Sequence, residues 1–325
     1  RPPRSTRKES SAASDVYKRQ VCSKTSYGNA GVISPWTCVP QSMPGLWKQV
    51  PRWLIDPEGP VSIRLGHLPR LMPWVLRFLA AGRFERIDPV ADGLFRLSRG
   101  SVAAYKKRLA GTGQEQLVRD SMYVHVYRNP KAASLDHLGW QLRQARQVPI
   151  ELIDKRALKE IEPHIADDFE AAILIKQQGR ASDPAGIGIA LAEKALAKGA
   201  NHIQTKVQEI RPDQGSGCQL VTDQGVFTAK KIVLAAGVWS CQLLTRFGIK
   251  LPLEAERGYH LVLRNPGITI KHSVMDADQK YVASLMQAGV RVAGTAEFAG
   301  LEAAPNYARA RRFADQAKKL FPQLD

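Results

Sequence analysis

The chain has 325 residues, of which 44% are hydrophobic and 24% are charged, as in a folded globular protein with one large core or two ordinary ones. No run of eighteen apolar residues occurs, so the sequence predicts no membrane-spanning helix. The four cysteines lie far apart without a C-x-x-C pair, which argues against a zinc ribbon or a dense disulfide scaffold and fits a reducing cytoplasm.

The net charge of +17 predicts an anionic partner, either nucleic acid, an acidic lipid surface or a phosphate-bearing ligand. Six basic and two acidic residues lie in the first twenty, so the remainder still carries +13. A nucleic-acid-binding module would cluster its basic residues with aromatic ones on one face. Beyond the first twenty residues the arginines are scattered, as at Arg64, Arg77 and Arg96, so nucleic acid is not the expected partner.

The first twenty residues, RPPRSTRKESSAASDVYKRQ, are predicted to be a disordered appendage that is not native to the protein. They lack the apolar stretch of a secretory signal and show neither helical nor strand periodicity. Their last six letters, DVYKRQ, are one translation of the transposase mosaic end used in sequencing libraries. A natural basic tail that binds nucleic acid or membrane is the alternative.

The first half of the remaining chain predicts loops followed by a mixture of helices and strands. Gly, Asn, Trp and Pro between Ser26 and Pro60 predict loops and short turns. Apolar residues at helical spacing predict helices in 68–83, 101–109, 135–145 and 152–161. Apolar runs bounded by polar residues or glycine predict strands in 122–127 and 170–176.

The second half predicts a helix, a meander and further strands. Asp183 is a good N-cap before Pro184, and Gly199 ends the alanine-rich helix that follows. The segment Lys231–Ala236, KIVLAA, has polar flanks and an apolar middle, which predicts a strand buried on both faces of a parallel sheet. The other predicted elements are strands at 202–210, 218–223, 226–230, 258–264, 280–286 and 289–293, and a helix at 307–321.

Small residues follow this predicted buried strand. Ala235, Ala236 and Gly237 would let a ligand approach the backbone closely. In open α/β sheets, nucleotides bind at the carboxyl ends of the strands. A tightly packed turn from strand to helix requires the same residue types and is the alternative.

The order of these segments resembles the D-amino-acid oxidase superfamily, in particular its FAD-dependent D-amino-acid dehydrogenases. The segment Ile232–Ser240, IVLAAGVWS, is similar to the family's second FAD-contacting strand, V-x-A-A-G-x-W-S, which follows a meander and precedes a segment such as GYH at 258–260. TSYGNAGVISP at 25–35 is similar to the loop after the family's ribose-binding acidic residue. Residues 275–300 resemble the hairpin of the family's substrate domain.

The resemblance implies an α/β fold with two interleaved domains. An incomplete Rossmann-like FAD-binding domain is expected at 21–58 and 182–252, and an α+β substrate domain with a mainly antiparallel sheet at 59–181 and 253–325. The family's G-x-G-x-x-G turn is expected upstream of Val21, and its closing segment, with the arginine that binds the substrate carboxylate, after Asp325. Neither is in this sequence, so the chain is expected to be truncated at both ends.

The implied activity is oxidative deamination of D-amino acids to 2-oxo acids and ammonia, by hydride transfer to N5 of FAD. The electrons are expected to pass to a quinone or another acceptor, in the cytoplasm or in peripheral contact with the inner membrane. A related flavin enzyme acting on glycine, sarcosine or hydroxyproline and an inactive fragment are the alternatives.

The resemblance also implies roles for individual residues. Tyr259 and Tyr281 are expected to face the flavin and shape the substrate pocket. His260 is a third catalytic candidate, whose alternative is a satisfied core histidine. No metal site is expected, because the acidic pairs Asp167–Asp168 and Asp276/Asp278 read as solvated charges. The expected cofactor-binding residues are Ser26, Gly28, Asn29, Ala30 and Gly31 near the pyrophosphate and ring, Val207 at the adenine, and Ala235, Ala236, Gly237 and Trp239 at the strand end.

Overall fold

The computed structural model of the protein is organised by a nine-stranded, mainly antiparallel sheet. The structure describes residues 21–49, 51, 59–213 and 217–325, so the predicted appendage lies outside the described residues. The strands are β1 (Val32–Ile33), β2 (Val61–Ile63), β3 (Val118–Tyr127), β4 (Ile150–Asp154), β5 (Ala171–Ala181), β6 (Val207–Pro212), β7 (Cys218–Thr222), β8 (Gly225–Ala229), β9 (Glu256–Leu263), β10 (Ser273–Asp276), β11 (Tyr281–Met286) and β12 (Gly289–Phe298). The α-helices are α1 (Leu68–Ala81), α2 (Phe84–Ser98), α3 (Ser101–Leu109), α4 (Leu138–Ala145), α5 (Lys155–Ile161), α6 (Pro184–Ala197), α7 (Ser240–Leu244), α8 (Ala308–Arg311) and α9 (Phe313–Leu320).

The large sheet has the strand order β1-β5-β3-β10-β11-β12-β2, with β4 also on β5 and β9 also on β12. Among the described strands, only the pairs β3–β10 and β2–β12 are parallel. The strands β6, β7 and β8 form a separate antiparallel meander. This mixed α/β architecture agrees with the predicted fold class.

The two faces of the large sheet carry different layers, because side chains alternate along each strand. One face presents Val124, Val274, Ala283 and Val292 to a core that also contains residues of α5 and α9. The other face is covered by helix α4 near β5 and, further along, by the loop that precedes β1. The candidate site described below lies on this second face.

Helix α6 follows the capping rules that predicted it. The carboxylate of Asp183 accepts a hydrogen bond of 3.1 Å from the backbone N–H of Ala185, and Pro184 occupies the first helical position. Gly199, at a φ of +91°, follows the end of the helix. Local chemistry alone therefore determines both ends of this element.

Two predicted helices have different boundaries in the structure. The start of 152–161 belongs to β4, whose Leu152 pairs with Ile173 of β5, and α5 begins only at Lys155 after the N-cap Asp154. The predicted helix at 307–321 is divided at Arg312 into α8 and α9. Pairing with a distant strand overrides the local helical pattern in the first case.

The prediction of a buried strand at 231–236 is wrong for this structure. These residues have no regular secondary structure, and Val233 is 89% exposed. A strand needs a neighbour for its backbone hydrogen bonds, and among the described residues no strand pairs with this segment. Its apolar sequence is therefore not sufficient to form a strand.

Candidate active site

A cleft of about 660 Å³ runs along β9 on the second face of the sheet. Its walls come from the loop before β1, the single helical turn Gly237–Trp239, β9 with the residues just before it, and the middle of β12. The lining residues fall within 24–29, 237–239, 254–260, 293–295 and 300–301. Segments far apart in sequence therefore meet at one place.

Alternation along β9 decides which side chains face this cleft. His260 and Gly258 lie opposite Ala293 and Ala296 of β12. A Cβ atom on Gly28 would lie 3.0 Å from Nδ1 of His260, which places the imidazole against the loop. Because Gly258 has no side chain, the floor of the cleft is open beside His260.

The hydroxyls of the two predicted tyrosines are bound within the protein, although Tyr259 is among the residues that line the cleft. The ring of Tyr259 packs in the core on the first face, and its hydroxyl donates to Oε2 of Glu297 at 2.5 Å. Tyr281 is 1% exposed, and its hydroxyl donates to the carbonyl of Gln316 at 2.7 Å. Both hydroxyls are thus bound to partners within the protein; Tyr259 is still among the residues that line the cleft, whereas Tyr281 is not.

His260 is half-buried and lies edge-on to the ring of Tyr27, with ring centroids 6.2 Å apart. Burial lowers the pKa of His260, and the positive charge of Arg291 lowers it further. The imidazole is therefore neutral at physiological pH and has a lone pair for a hydrogen bond.

Arg291 of β12, which the sequence analysis missed, holds the loop against the sheet. Its side chain is buried, and its Nη1 donates to the carbonyls of Tyr27 and Asn29 at 2.8 Å each. The guanidinium also lies 5.7 Å from the centre of the Tyr27 ring. An arginine in the apolar strand GVRVAG was the available signal, because buried arginines are rare unless paired.

The loop itself is shaped by Asn29 and Gly31. The side-chain oxygen of Asn29 accepts a hydrogen bond of 2.7 Å from the Gly31 N–H, so this oxygen stabilises the turn. Gly31 has a φ of +80°, and a Cβ there would lie 2.6 Å from the carbonyl oxygen of Ala181. Ser26, Ala30 and Gly31 belong to the same loop but do not line the cleft.

A second cleft of about 720 Å³ lies between the meander and the segment 232–243. It is lined by four of the predicted cofactor residues, Val207, Ala235, Ala236 and Trp239. Trp239 lines both this cleft and the first one, while Gly237 lines the first. The seven predicted cofactor residues that line a cleft are therefore divided between two clefts, which share Trp239.

This arrangement fits a dinucleotide such as FAD, which has two large ends. Gly237 has a φ of +56°, and a Cβ there would meet no atom within 4 Å, so open space lies in front of the turn. Small residues at 235–237 leave the backbone accessible to a ligand. The residues present thus fit the group that the resemblance implied.

The acidic residues outside the clefts are structural. Asp276 is completely buried and accepts a hydrogen bond of 2.8 Å from Arg128, which corrects the view of it as a solvated charge. Arg128 also pairs with Asp168, while Asp167 is exposed and pairs with Lys159. In the described part of the chain no group of three or more His, Cys, Asp or Glu could hold a metal ion.

Sequence comparison relates the chain to flavin enzymes over most of its length. A D-amino-acid oxidase from Bradyrhizobium diazoefficiens is 35% identical over 301 residues, which cover 92% of this chain and 71% of that protein. A D-amino acid dehydrogenase from Paramagnetospirillum magneticum is 30% identical, with coverage of 92% and 72%.

Two solved structures share the fold at low sequence identity. Glycine oxidase from Bacillus cereus has a TM-score of 0.60 at 18% identity and covers 94% of this chain and 70% of that one. L-α-glycerophosphate oxidase from Mycoplasma pneumoniae, with FAD bound, has a TM-score of 0.61 at 15% identity, with coverage of 96% and 76%.

The family model described as "FAD dependent oxidoreductase" matches residues 15–325. The first six residues of this match, 15–20, fall within the predicted appendage. That residues 1–20 are not native to the protein therefore stays a prediction. The match covers far more than half of the chain and includes every segment that lines the two clefts. The chain therefore belongs to the DAO family of FAD-dependent oxidoreductases.

Proposed function

We propose that the protein oxidises D-amino acids to 2-oxo acids and ammonia with FAD as cofactor. The observation that carries this proposal is the cleft along β9, where Gly258 leaves the floor open between His260 and the turn at Gly237. The similarity to a D-amino-acid oxidase and several D-amino acid dehydrogenases supports the same substrate class.

The chain's residues suggest how the cofactor is held. We propose that Gly28, Asn29, Gly237 and Trp239 contact the flavin end in the first cleft, and that Val207, Ala235 and Ala236 contact the adenine end in the second. Ser26, Ala30 and Gly31 act through the shape of the loop. The FAD-binding part then comprises 21–58 and 182–252, of which 50, 52–58 and 214–216 lie outside the described residues.

The substrate loses a hydride from its α-carbon and a proton from its amine, which gives an imino acid that water hydrolyses to a 2-oxo acid and ammonia. When bound, FAD supplies the two-electron acceptor for this hydride. The protein must hold the substrate amine in its neutral form next to the site of transfer. No nucleophilic side chain is required for this reaction.

His260 is the side chain on the cleft face that suits this task. Its neutral imidazole can accept a hydrogen bond or a proton from the substrate ammonium group. Tyr259 has no such role in this proposal, because its hydroxyl is bound to Glu297 and accepts from the N–H of Asn306 at 2.7 Å.

The electron acceptor is proposed to be a membrane quinone, reached through peripheral contact with an anionic membrane. No helix in the described ranges is long and apolar enough to cross a membrane. Helices α1 and α2 expose Leu76, Phe84 and Leu97 to solvent, and Leu97 is 86% exposed. Five arginines lie in or between these two helices, and basic residues beside exposed apolar ones suit shallow contact with an anionic membrane surface. They are Arg70, Arg77, Arg83, Arg86 and Arg96.

The reaction is tested by anaerobic mixing of the FAD-loaded protein with D-alanine, L-alanine, glycine, sarcosine and hydroxyproline. Bleaching of flavin absorbance near ~450 nm, a generic flavin value, with D-alanine but not L-alanine is expected. Bleaching only with glycine or sarcosine would show that the substrate is one of these amines and not a D-amino acid. No bleaching with any of them, despite bound FAD, would contradict the proposal.

Membrane contact is tested separately by co-sedimentation with phosphatidylglycerol or phosphatidylcholine vesicles. Binding to the anionic vesicles alone is expected, and it should weaken with salt and in the double variant Phe84→Ser, Leu97→Ser. Equal binding of the variant and the wild type would exclude this surface.

A further inference from the structure

A buried carboxylate lies beside the cleft, near the end of β12. Glu297 is 3% exposed, and three side chains donate to its two oxygens. Nε of Arg64 donates to Oε1 at 2.8 Å, while Nη1 of Arg257 and the hydroxyl of Tyr259 donate to Oε2 at 3.4 and 2.5 Å. Burial by itself raises the pKa of Glu297, but the hydrogen bond from Tyr259 and the charges of the two arginines lower it below its usual range. The carboxylate is therefore ionised at physiological pH.

The chain continues from β12 into residues 299–306, a segment beside the cleft that we call the strap. The strap contains neither a helix nor a strand. Its Gly300 and Leu301 line the cleft, and both also line a neighbouring cavity of about 360 Å³. Residues 304–306 are exposed, so apolar packing contributes little to holding this part of the strap. The strap is therefore a thin wall of the cleft that needs polar contacts to stay in place.

Two arginines connect Glu297 to the backbone of the strap. Nη2 of Arg64 donates to the carbonyl of Ala304 at 2.5 Å, and Nη2 of Arg257 donates to that of Ala303 at 2.6 Å. Each guanidinium thus bridges the carboxylate and one strap carbonyl, which its rigid fork of donors allows. Without the negative charge of Glu297, the two cations would repel each other across the place where its carboxylate lies.

Tyr259 makes the third connection. Its hydroxyl donates to Glu297, and its oxygen accepts from the N–H of Asn306 at 2.7 Å. Because the carboxylate takes the hydroxyl hydrogen, a lone pair of the Tyr259 oxygen is available to the strap. One buried charge therefore orients all three side chains that bind the strap backbone at 303, 304 and 306.

We propose that Glu297 is a positioning residue, which holds the strap as a preformed wall of the cleft so that the amino-acid substrate binds without having to order it. This inference rests on the proposed function, because it concerns the same cleft. If Glu297 is neutralised, only a fraction of the molecules has the wall in place, and the apparent KM rises by the inverse of that fraction. The wall is complete once substrate is bound, so kcat stays nearly unchanged.

The test compares KM and kcat for D-alanine in the FAD-loaded wild type, in Glu297→Gln and in the matched control Glu162→Gln. Glu162 is also a buried carboxylate, but it accepts from the N–H groups of Lys271 and His272 at 3.2 and 2.6 Å and lines neither cleft. Glu297→Gln should raise KM by about tenfold or more and change kcat by less than about threefold. The control should change both constants by less than about threefold. Equal KM values for Glu297→Gln and the wild type would overturn the proposal, as would the same rise in both variants.

Two milder variants keep the test sharp if Glu297→Gln does not fold. Glu297→Asp keeps the charge and should lie closer to the wild type in KM than any folded neutral variant. Arg64→Gln changes a side chain that is 40% exposed, and it removes the bond to the carbonyl of Ala304. It should raise KM in the same direction by a smaller factor, about threefold. An unchanged KM in Arg64→Gln would overturn the role given to this network.

Hydrogen exchange in the absence of substrate separates this inference from the proposed function. Amides of the strap, followed by mass spectrometry, should exchange about tenfold faster in Glu297→Gln than in the wild type, and at the wild-type rate in Glu162→Gln. If no D-amino acid reduces the flavin but this exchange pattern holds, the proposed reaction fails and Glu297 still positions the strap. If D-amino acids are oxidised and the strap exchanges equally in wild type and Glu297→Gln, the positioning role is wrong.

Discussion

Arg291 links the sheet to the loop that carries Gly28 and Asn29, so its removal should release that loop. In Arg291→Met the two hydrogen bonds from Nη1 to the carbonyls of Tyr27 and Asn29 are lost. Hydrogen bonds from charged donors contribute about 1.5–3 kcal/mol each, and methionine keeps the apolar packing of the stem. We expect the free energy of unfolding to fall by about 2–4 kcal/mol.

The same change should weaken FAD binding more than overall stability alone explains. A loop that must be ordered at the moment of binding reduces affinity, and each 1.4 kcal/mol of ordering cost corresponds to about tenfold in Kd. Titration of the apoprotein with FAD, followed by flavin fluorescence, should show a Kd at least about tenfold higher than that of the wild type. Urea unfolding of the same samples measures the stability change.

Arg180→Met is the matched control, because Arg180 is also a buried arginine of the large sheet. Its Nη1 donates to the carbonyl of Ile270 at 3.1 Å, and no hydrogen bond connects its side chain to the loop before β1 among the described residues. This control should lose stability and keep its affinity for FAD. Equal Kd values for Arg291→Met and Arg180→Met would refute the role of Arg291 as the anchor of the loop.

Three further substitutions test the backbone and the buried titratable groups. Gly31→Ala should lower the free energy of unfolding by about 2–3 kcal/mol, whereas the control Gly111→Ala should lower it by about 1 kcal/mol. Both glycines have a positive φ, but only at Gly31 would the new Cβ lie 2.6 Å from a carbonyl oxygen, that of Ala181. Equal urea midpoints for the two variants would contradict this. Burial, with Arg143 and Lys280 adding to it, lowers the pKa of His125 to about 3, so the folded state binds fewer protons than the unfolded one between pH 6.5 and 3. Stability should therefore fall by up to about 1.4 kcal/mol per pH unit on acidification, and His125→Phe should flatten this slope in urea unfolding. Burial raises the pKa of Glu162 to about 7, so the stability that its protonated form contributes is fully present below pH 4.5 and is lost as pH rises through 7. The free energy of unfolding of Glu162→Gln relative to wild type should therefore increase by about 1–3 kcal/mol from pH 5 to pH 8. No change over this range would contradict the ionisation of a buried Glu162.

The sequence by itself determined the elements whose ends depend on local chemistry. The N-cap Asp183 and Pro184 predicted the start of α6, and Gly199 its end. Short apolar runs bounded by polar residues or turn residues predicted strands within β3, β5, β9, β11 and β12, because this pattern depends only on neighbouring residues. The family resemblance of IVLAAGVWS and of the loop 25–35 was likewise visible in the residues themselves, and it predicted FAD as the cofactor.

The tertiary structure decided which way the side chains of these elements point and which segments pair. Tyr259 and His260 are neighbours in sequence, and only the register of β9 against β12 shows that His260 faces the cleft while Tyr259 faces the core. Pairing with β5 turned residues 152–154 into a strand, whereas the apolar segment 231–236 found no partner among the described residues. Hydrogen bonds between strands and contacts across a sheet join residues that are far apart in the chain, so a local pattern does not contain them.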